Sequence, residues 1–124
     1  MTAVLCFGNE FLENDSLAKK IADEIKLEGF EFIKTDNVDD ILNYANSDEL
    51  YILDVVENIR KTVLIKNIDD LKSSKICTLH DFDLGFYLKL MKEIGKIKEI
   101  RIIGIPQEGN TEEIKKEVID ILRK

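Results

Sequence analysis

The feature that most constrains this chain is the run ELYILDVV at residues 49–56, which is apolar at consecutive positions and carries Asp54 near its end among hydrophobic neighbours. A strand with one wet face alternates apolar and polar side chains. Continuous hydrophobicity over so short a run fits a strand covered on both sides, as in the middle of a parallel sheet. Parallel strands need crossover connections, and right-handed crossovers place helices on both faces of the sheet.

The rest of the sequence reads as those crossovers. TAVLCFG (2–8) is a β-prone run closed by glycine, and Leu17, Ala18, Ile21, Ala22 and Ile25 then recur at helical spacing. Asn14, Asp15 and Ser16 are good N-cap residues for that helix, and Gly29 stands where a helix C′ glycine belongs. FEFIK (30–34) is a second strand. NVDDILNYAN (37–46) reads as a short helix with Val38, Ile41, Leu42 and Ala45 on one face. KTVLIKN (61–67) is a strand that Lys61 and Lys66 hold at a sheet edge, where it can run antiparallel. SKICTL (74–79) is a strand tip or extended loop, DFDLGFYLKLMKEIG (81–95) a helix, and KEIRIIGIP (98–106) the last strand. NTEEIKKEVIDILRK (110–124) closes the chain as an amphipathic helix with Asn110 or Thr111 as cap and acidic residues in its first turn. The expected fold is α/β, a three-layer α/β/α arrangement around a mainly parallel, twisted sheet of about five strands. At 124 residues, one domain spanning 1–124 is expected.

Composition narrows the functions. Hydrophobic residues at 44% and charged residues at 35% suit a globular protein, and no apolar run approaches the roughly 20 residues of a membrane-spanning helix. MTAVLCFGNEF lacks a basic leader and a small-residue cleavage site, so a cytoplasmic protein is expected. Cys6 and Cys77, both flanked by apolar residues, read as buried thiols rather than a disulfide. A formal charge of −7 argues against nucleic acid or an anionic membrane as partner. Each expected helix has one apolar face, which a monomer can cover.

In open α/β sheets, sites form outside the carboxyl ends of the strands. The loops leaving the expected strands carry Gly8-Asn9 through Asp15, Asp54 with Glu57, Thr78 to Asp83, and Gln107-Glu108. Asp15, Asp54 and His80, the chain's one histidine, fall in three loops that this topology gathers at one edge. Two carboxylates and an imidazole can ligate a divalent transition metal such as nickel or zinc. Each residue also has a simpler role: Asp15 as a helix cap, Asp54 as a paired strand-end charge, His80 as a structural or solvent-facing ring. Glu10, Glu13, Asp36, Asp39 and Asp40 are most simply solvated carboxylates.

Other chemistries lack their parts. CFGNEF has too few glycines for a dinucleotide loop and no Gly-Lys-Ser/Thr for a P-loop. Ser16 has no Gly-x-Ser-x-Gly context, and nothing near Cys77 would activate its thiolate.

Taken in order, several blocks resemble the hydrogenase maturation endopeptidases, which remove a C-terminal extension from the large subunit of nickel-iron hydrogenases. FGNEFLENDSLAKKIADEI (7–25) is similar to that family's first block, YILDVV (51–56) to its central strand ending in aspartate, TLHDFDL (78–84) to its histidine loop, and RIIGIPQE (101–108) to its closing strand. The resemblance implies that Asp15, Asp54 and His80 contact nickel already inserted in the precursor, which therefore arrives with the substrate. Zinc or cadmium can take the same place in the isolated protein. The implied partner is the hydrogenase large-subunit precursor. The chain departs from the family pattern at Asn14-Asp15-Ser16, where two acidic residues and a glycine are usual, and at VENIRKT (56–62), which replaces a glycine-rich stretch.

Two other classes remain in view. A receiver-like phosphoacceptor domain would use Asp54 as acceptor, but it needs an acidic pair directly after the first strand and a lysine ending the last; this chain has Gly8-Asn9-Glu10 and GIPQE there. A non-catalytic α/β subunit that binds a partner would tolerate replacement of Asp15, Asp54 and His80.

Overall fold

Five strands hydrogen-bond into one sheet: β1 (Thr2–Cys6), β2 (Phe30–Lys34), β3 (Glu49–Val56), β4 (Val63–Ile65) and β5 (Glu99–Pro106), in the order β2-β1-β3-β5-β4. This is a computed structural model of the chain, and it describes residues 1–8, 16–35, 38–44, 48–56, 59–66, 93, 95 and 99–123. β1 runs parallel to β2 and to β3, and β3 parallel to β5. β4 runs antiparallel to β5 at the edge. The central place of β3 is the one its continuous apolar run requires, and every residue from Leu50 to Val56 is buried. Lys61 and Lys66 flank the edge strand and are exposed, as the sequence leads one to expect.

Strand periodicity divides the core into two faces. Ala3, Leu5, Leu50, Ile52, Ile100 and Ile102 point to one, joined by Phe7, Ile41 and Ile65. Val4, Cys6, Tyr51, Leu53, Val55, Ile103 and Ile105 point to the other, where α1 (Leu17–Glu24) lays Ala18 and Ile21, and α2 (Thr111–Arg123) lays Ile114, Val118 and Leu122. Each such aliphatic side chain, fully buried, contributes roughly 1.5–3 kcal/mol. The amphipathic stripe of α2 is therefore worth more than its cap. That cap is Asn110, whose Oδ1 accepts a hydrogen bond from the Glu113 N–H at 3.1 Å, with Glu112 and Glu113 placed favourably in the first turn.

Two elements differ from their expected form. α1 stops at Glu24: Ile25 turns to an extended backbone while its N–H still bonds the Ile21 carbonyl at 2.8 Å, and its side chain stays buried against the α1 face. Gly29 thus ends no helix. Its φ of +90° makes the turn into β2, where its carbonyl accepts from Thr2 N–H at 2.9 Å. The segment Val38–Tyr44 is a 3-10 helix. With three residues per turn, Ile41 and Tyr44 share a side, and both pack on the first face of the sheet. Leu42, which an α-helical repeat would turn inward, is 47% exposed. The segment 74–79 and the expected helix 81–95, apart from Glu93 and Gly95, lie outside the described residues.

Candidate active site at the carboxyl edge of the sheet

Because β1, β3 and β5 run parallel, their carboxyl ends share one edge of the sheet. β1 leaves it through Phe7, whose N–H donates to the Leu53 carbonyl at 3.0 Å, and through buried Gly8 at φ +142°, a conformation that favours glycine. β3 and β5 end at this edge with the pair Val56 and Pro106, and Asp54 pairs with Gly104 two residues before.

Asp54 is fully buried. Its parity with Leu50 and Ile52 puts it on the face that carries Phe7 and Ile41. Oδ1 accepts a hydrogen bond from the Val55 N–H at 2.9 Å, which anchors that oxygen, and Oδ2 is buried as well. Removing a carboxylate from water costs several kcal/mol, far more than a strand-end side chain returns by packing. Packing alone therefore does not account for a carboxyl group at this position.

Gly104 lies in register with Asp54 on one side and Val63 on the other. A Cβ at this position would meet Val56 Cγ2 at 3.0 Å, Val56 Cγ1 at 3.2 Å and Val63 Cγ2 at 3.2 Å. The missing side chain is what lets two valines close beside the aspartate.

Of the three candidate ligands, Asp54 is described, while Asp15 and His80 lie outside the described residues. Ser16, next in sequence after Asp15, is the N-cap of α1, and its carbonyl accepts from the Lys20 N–H at 3.0 Å. Among the described residues no three His, Cys, Asp or Glu side chains gather at metal-binding spacing.

Cys6 sits in the core with its thiol 3.6 Å from the Val4 carbonyl. Burial raises its pKa from 9.0 to about 12, against a lowering by the Ile33 backbone, with a smaller raising contribution from Asp23. A thiol so held is a packing group and no nucleophile. Cys77 lies outside the described residues. Asp40 is more than a solvated carboxylate: it is half-buried, and its Oδ2 accepts a hydrogen bond from the Thr35 hydroxyl. At the opposite end of the sheet Arg101 ties the strands together, donating to Tyr51 Oη at 3.1 Å, Glu49 at 3.4 Å and Glu99 at 2.9 Å.

A cleft of about 360 Å³ that no sequence pattern marks lies beyond the ends of β3 and β5, lined by Ile59, Arg60, Gln107 and Glu108. Gln107 and Glu108 were legible as loop residues. Arg60, drawn from a separate loop, carried no local signal.

No family model and no curated protein matches the sequence significantly. Solved structures do match. The nickel-iron hydrogenase maturation protease HybD of Thermococcus kodakarensis is similar with a TM-score of 0.69 at 20% identity, over 98% of this chain and 96% of that one. The hydrogenase maturating endopeptidase HybD of Escherichia coli is similar with a TM-score of 0.72 at 17% identity, over 98% and 91%. The endopeptidase HycI of Escherichia coli gives 0.68 at 20% identity, over 99% and 88%. At these identities the likeness is one of architecture, and the chain has the fold of the hydrogenase maturation proteases.

Proposed function

We propose that the protein is a hydrogenase maturation endopeptidase, which cuts the C-terminal extension from a nickel-loaded large-subunit precursor. The observation that carries this reading is Asp54, a fully buried carboxyl group two residues before the end of the central strand, near the edge where this fold class builds its sites. The near full-length likeness to maturation proteases supports it. So does the agreement in order of the blocks around Asp15, Asp54 and His80.

The nickel belongs to the substrate. Two carboxylates, Asp15 and Asp54, with the His80 imidazole form a donor set suited to divalent nickel, and zinc or cadmium would fit the same donors in the isolated protein. Bound there, the ion would mark the precursor as loaded and polarise the bond to be cut. Asp54, its Oδ1 anchored by the Val55 N–H, would hold the precursor's metal centre and take the proton of the attacking water. The buried free thiol of Cys6 suits a reducing compartment, so we place the enzyme in the cytoplasm, acting as a monomer. Among the described residues no helix is long and apolar enough to cross a membrane.

The receiver-like reading loses ground on topology. Phosphoacceptor receivers use the all-parallel order 2-1-3-4-5, whereas here the edge strand β4 is antiparallel and follows β5 in the sheet.

The test is incubation of the purified protein with nickel-loaded and nickel-free large-subunit precursors, read by intact mass. Release of one defined C-terminal peptide from loaded precursor alone is the expected result. Equal cleavage of nickel-free precursor would remove the metal from recognition, and no release from any of the loaded precursors would overturn the peptidase reading.

A further inference from the structure

The cleft of about 360 Å³ beyond the ends of β3 and β5 lies within the size range of small-ligand sites. Asp54 pairs with Gly104 and Val56 with Pro106, so Gln107 stands three residues past the partner of Asp54. At about 3.3 Å per extended residue that is roughly 10 Å of chain, the reach of a short peptide segment leaving a bond cut at Asp54.

The lining argues for what enters. Arg60 is exposed and makes no ion pair among the described residues, in a chain whose net charge is −7. Its guanidinium presents a planar fork that matches a carboxylate. Glu108 supplies the opposite charge in the same cleft, which opposes a phosphate or any ligand that is anionic throughout. A peptide is different, because it offers N–H donors along its backbone and a carboxylate at one point. Gln107 can both donate to and accept from such a backbone, and Ile59 gives one apolar wall.

We propose that Arg60, Gln107 and Glu108 form a subsite that binds the C-terminal extension of the precursor, with Arg60 on a carboxylate of that extension and Glu108 on its backbone N–H groups. This rests on the endopeptidase reading and deepens it. Arg60 is a substrate-binding residue here and takes no part in the bond cleavage.

Two measurements separate the two readings. Cleavage of the nickel-loaded precursor by wild-type protein tests the peptidase. The subsite is tested by binding of a fluorescein-labelled synthetic peptide of the extension sequence to full-length wild-type and Arg60→Glu proteins, followed by anisotropy. Arg60→Glu should weaken that binding about tenfold, the scale of one charged hydrogen-bonded contact, and Arg60→Lys should weaken it less. Peptide with its Asp and Glu side chains changed to amides, and peptide with an amidated C-terminus, identify the source of the carboxylate: one of them should lose the difference between wild type and Arg60→Glu. In the cleavage assay the same variant should raise KM about tenfold with kcat unchanged, and where the amide peptides identify an Asp or Glu side chain as the carboxylate, changing that residue to lysine should restore it. Equal binding by wild type and Arg60→Glu, no peptide binding by wild type, or a defect that both altered peptides leave intact would overturn the subsite, whatever the cleavage assay shows.

Discussion

At the scale of single residues, Asp54 carries the most. Replacing it with asparagine keeps an acceptor for the Val55 N–H and removes the carboxyl's capacity to take a proton, so Asp54→Asn should fold with an unchanged circular dichroism spectrum while activity falls by about a hundredfold or more. Activity within a factor of a few of wild type would dismiss the residue from the site. Cys6 gives an independent check on the core. In a Cys77→Ser background its thiol should resist iodoacetamide at pH 8 in the native protein and react once unfolded; alkylation at equal rates would contradict its burial. The folded thiol keeps its proton up to about pH 12, whereas the unfolded one loses it near 9.0. The stability gained by burying it neutral is therefore complete below pH 9 and is lost as pH rises toward 12. The urea midpoint should fall more steeply above pH 9 in Cys77→Ser than in the double variant that also carries Cys6→Ala.

At the scale of elements, the 3-10 helix makes a prediction that an α-helix at the same place would not. Ile41→Ala should cost about 2–5 kcal/mol, and Leu42→Ala about 0.5 kcal/mol or less, both read from urea unfolding. Comparable losses would restore the α-helical repeat. This element shows why local sequence was ambiguous. Val38, Ile41, Leu42 and Ala45 satisfy a period of 3.6, Ile41 and Tyr44 a period of three, and seven residues are too few to separate them. Gly29 misled for a related reason, since a glycine after a helix and a glycine before a strand look alike until Ile25 is seen to leave the helix early. By contrast, the edge position of β4 was written in Lys61 and Lys66, and the cap of α2 in Asn110, because each is a local rule with one physical cause. Gly104 belongs to this scale too. Gly104→Val should lower stability by about 1–3 kcal/mol through the contacts with Val56 and Val63, and lower activity by displacing β3 beside Asp54.

At the scale of the whole molecule, a central strand apolar on both faces and crossovers of one hand account for the parallel pairing of β2, β1, β3 and β5, and the observed order sets β3 between β1 and β5. That order brings the carboxyl ends of β1, β3 and β5 together, and with them Asp54 and the cleft of Arg60 and Gln107. The aspartate was legible in the sequence because a charge stands out in an apolar run. The cleft was not, because two loops far apart in the chain make it and neither carries a pattern of its own. The most direct measurement follows the C-terminus of a nickel-loaded hydrogenase large-subunit precursor by intact mass, with wild-type and Asp54→Asn proteins in parallel. Loss of one defined peptide with the wild type and none with the variant is the expected result; cleavage by both alike would contradict the placing of the reaction at Asp54.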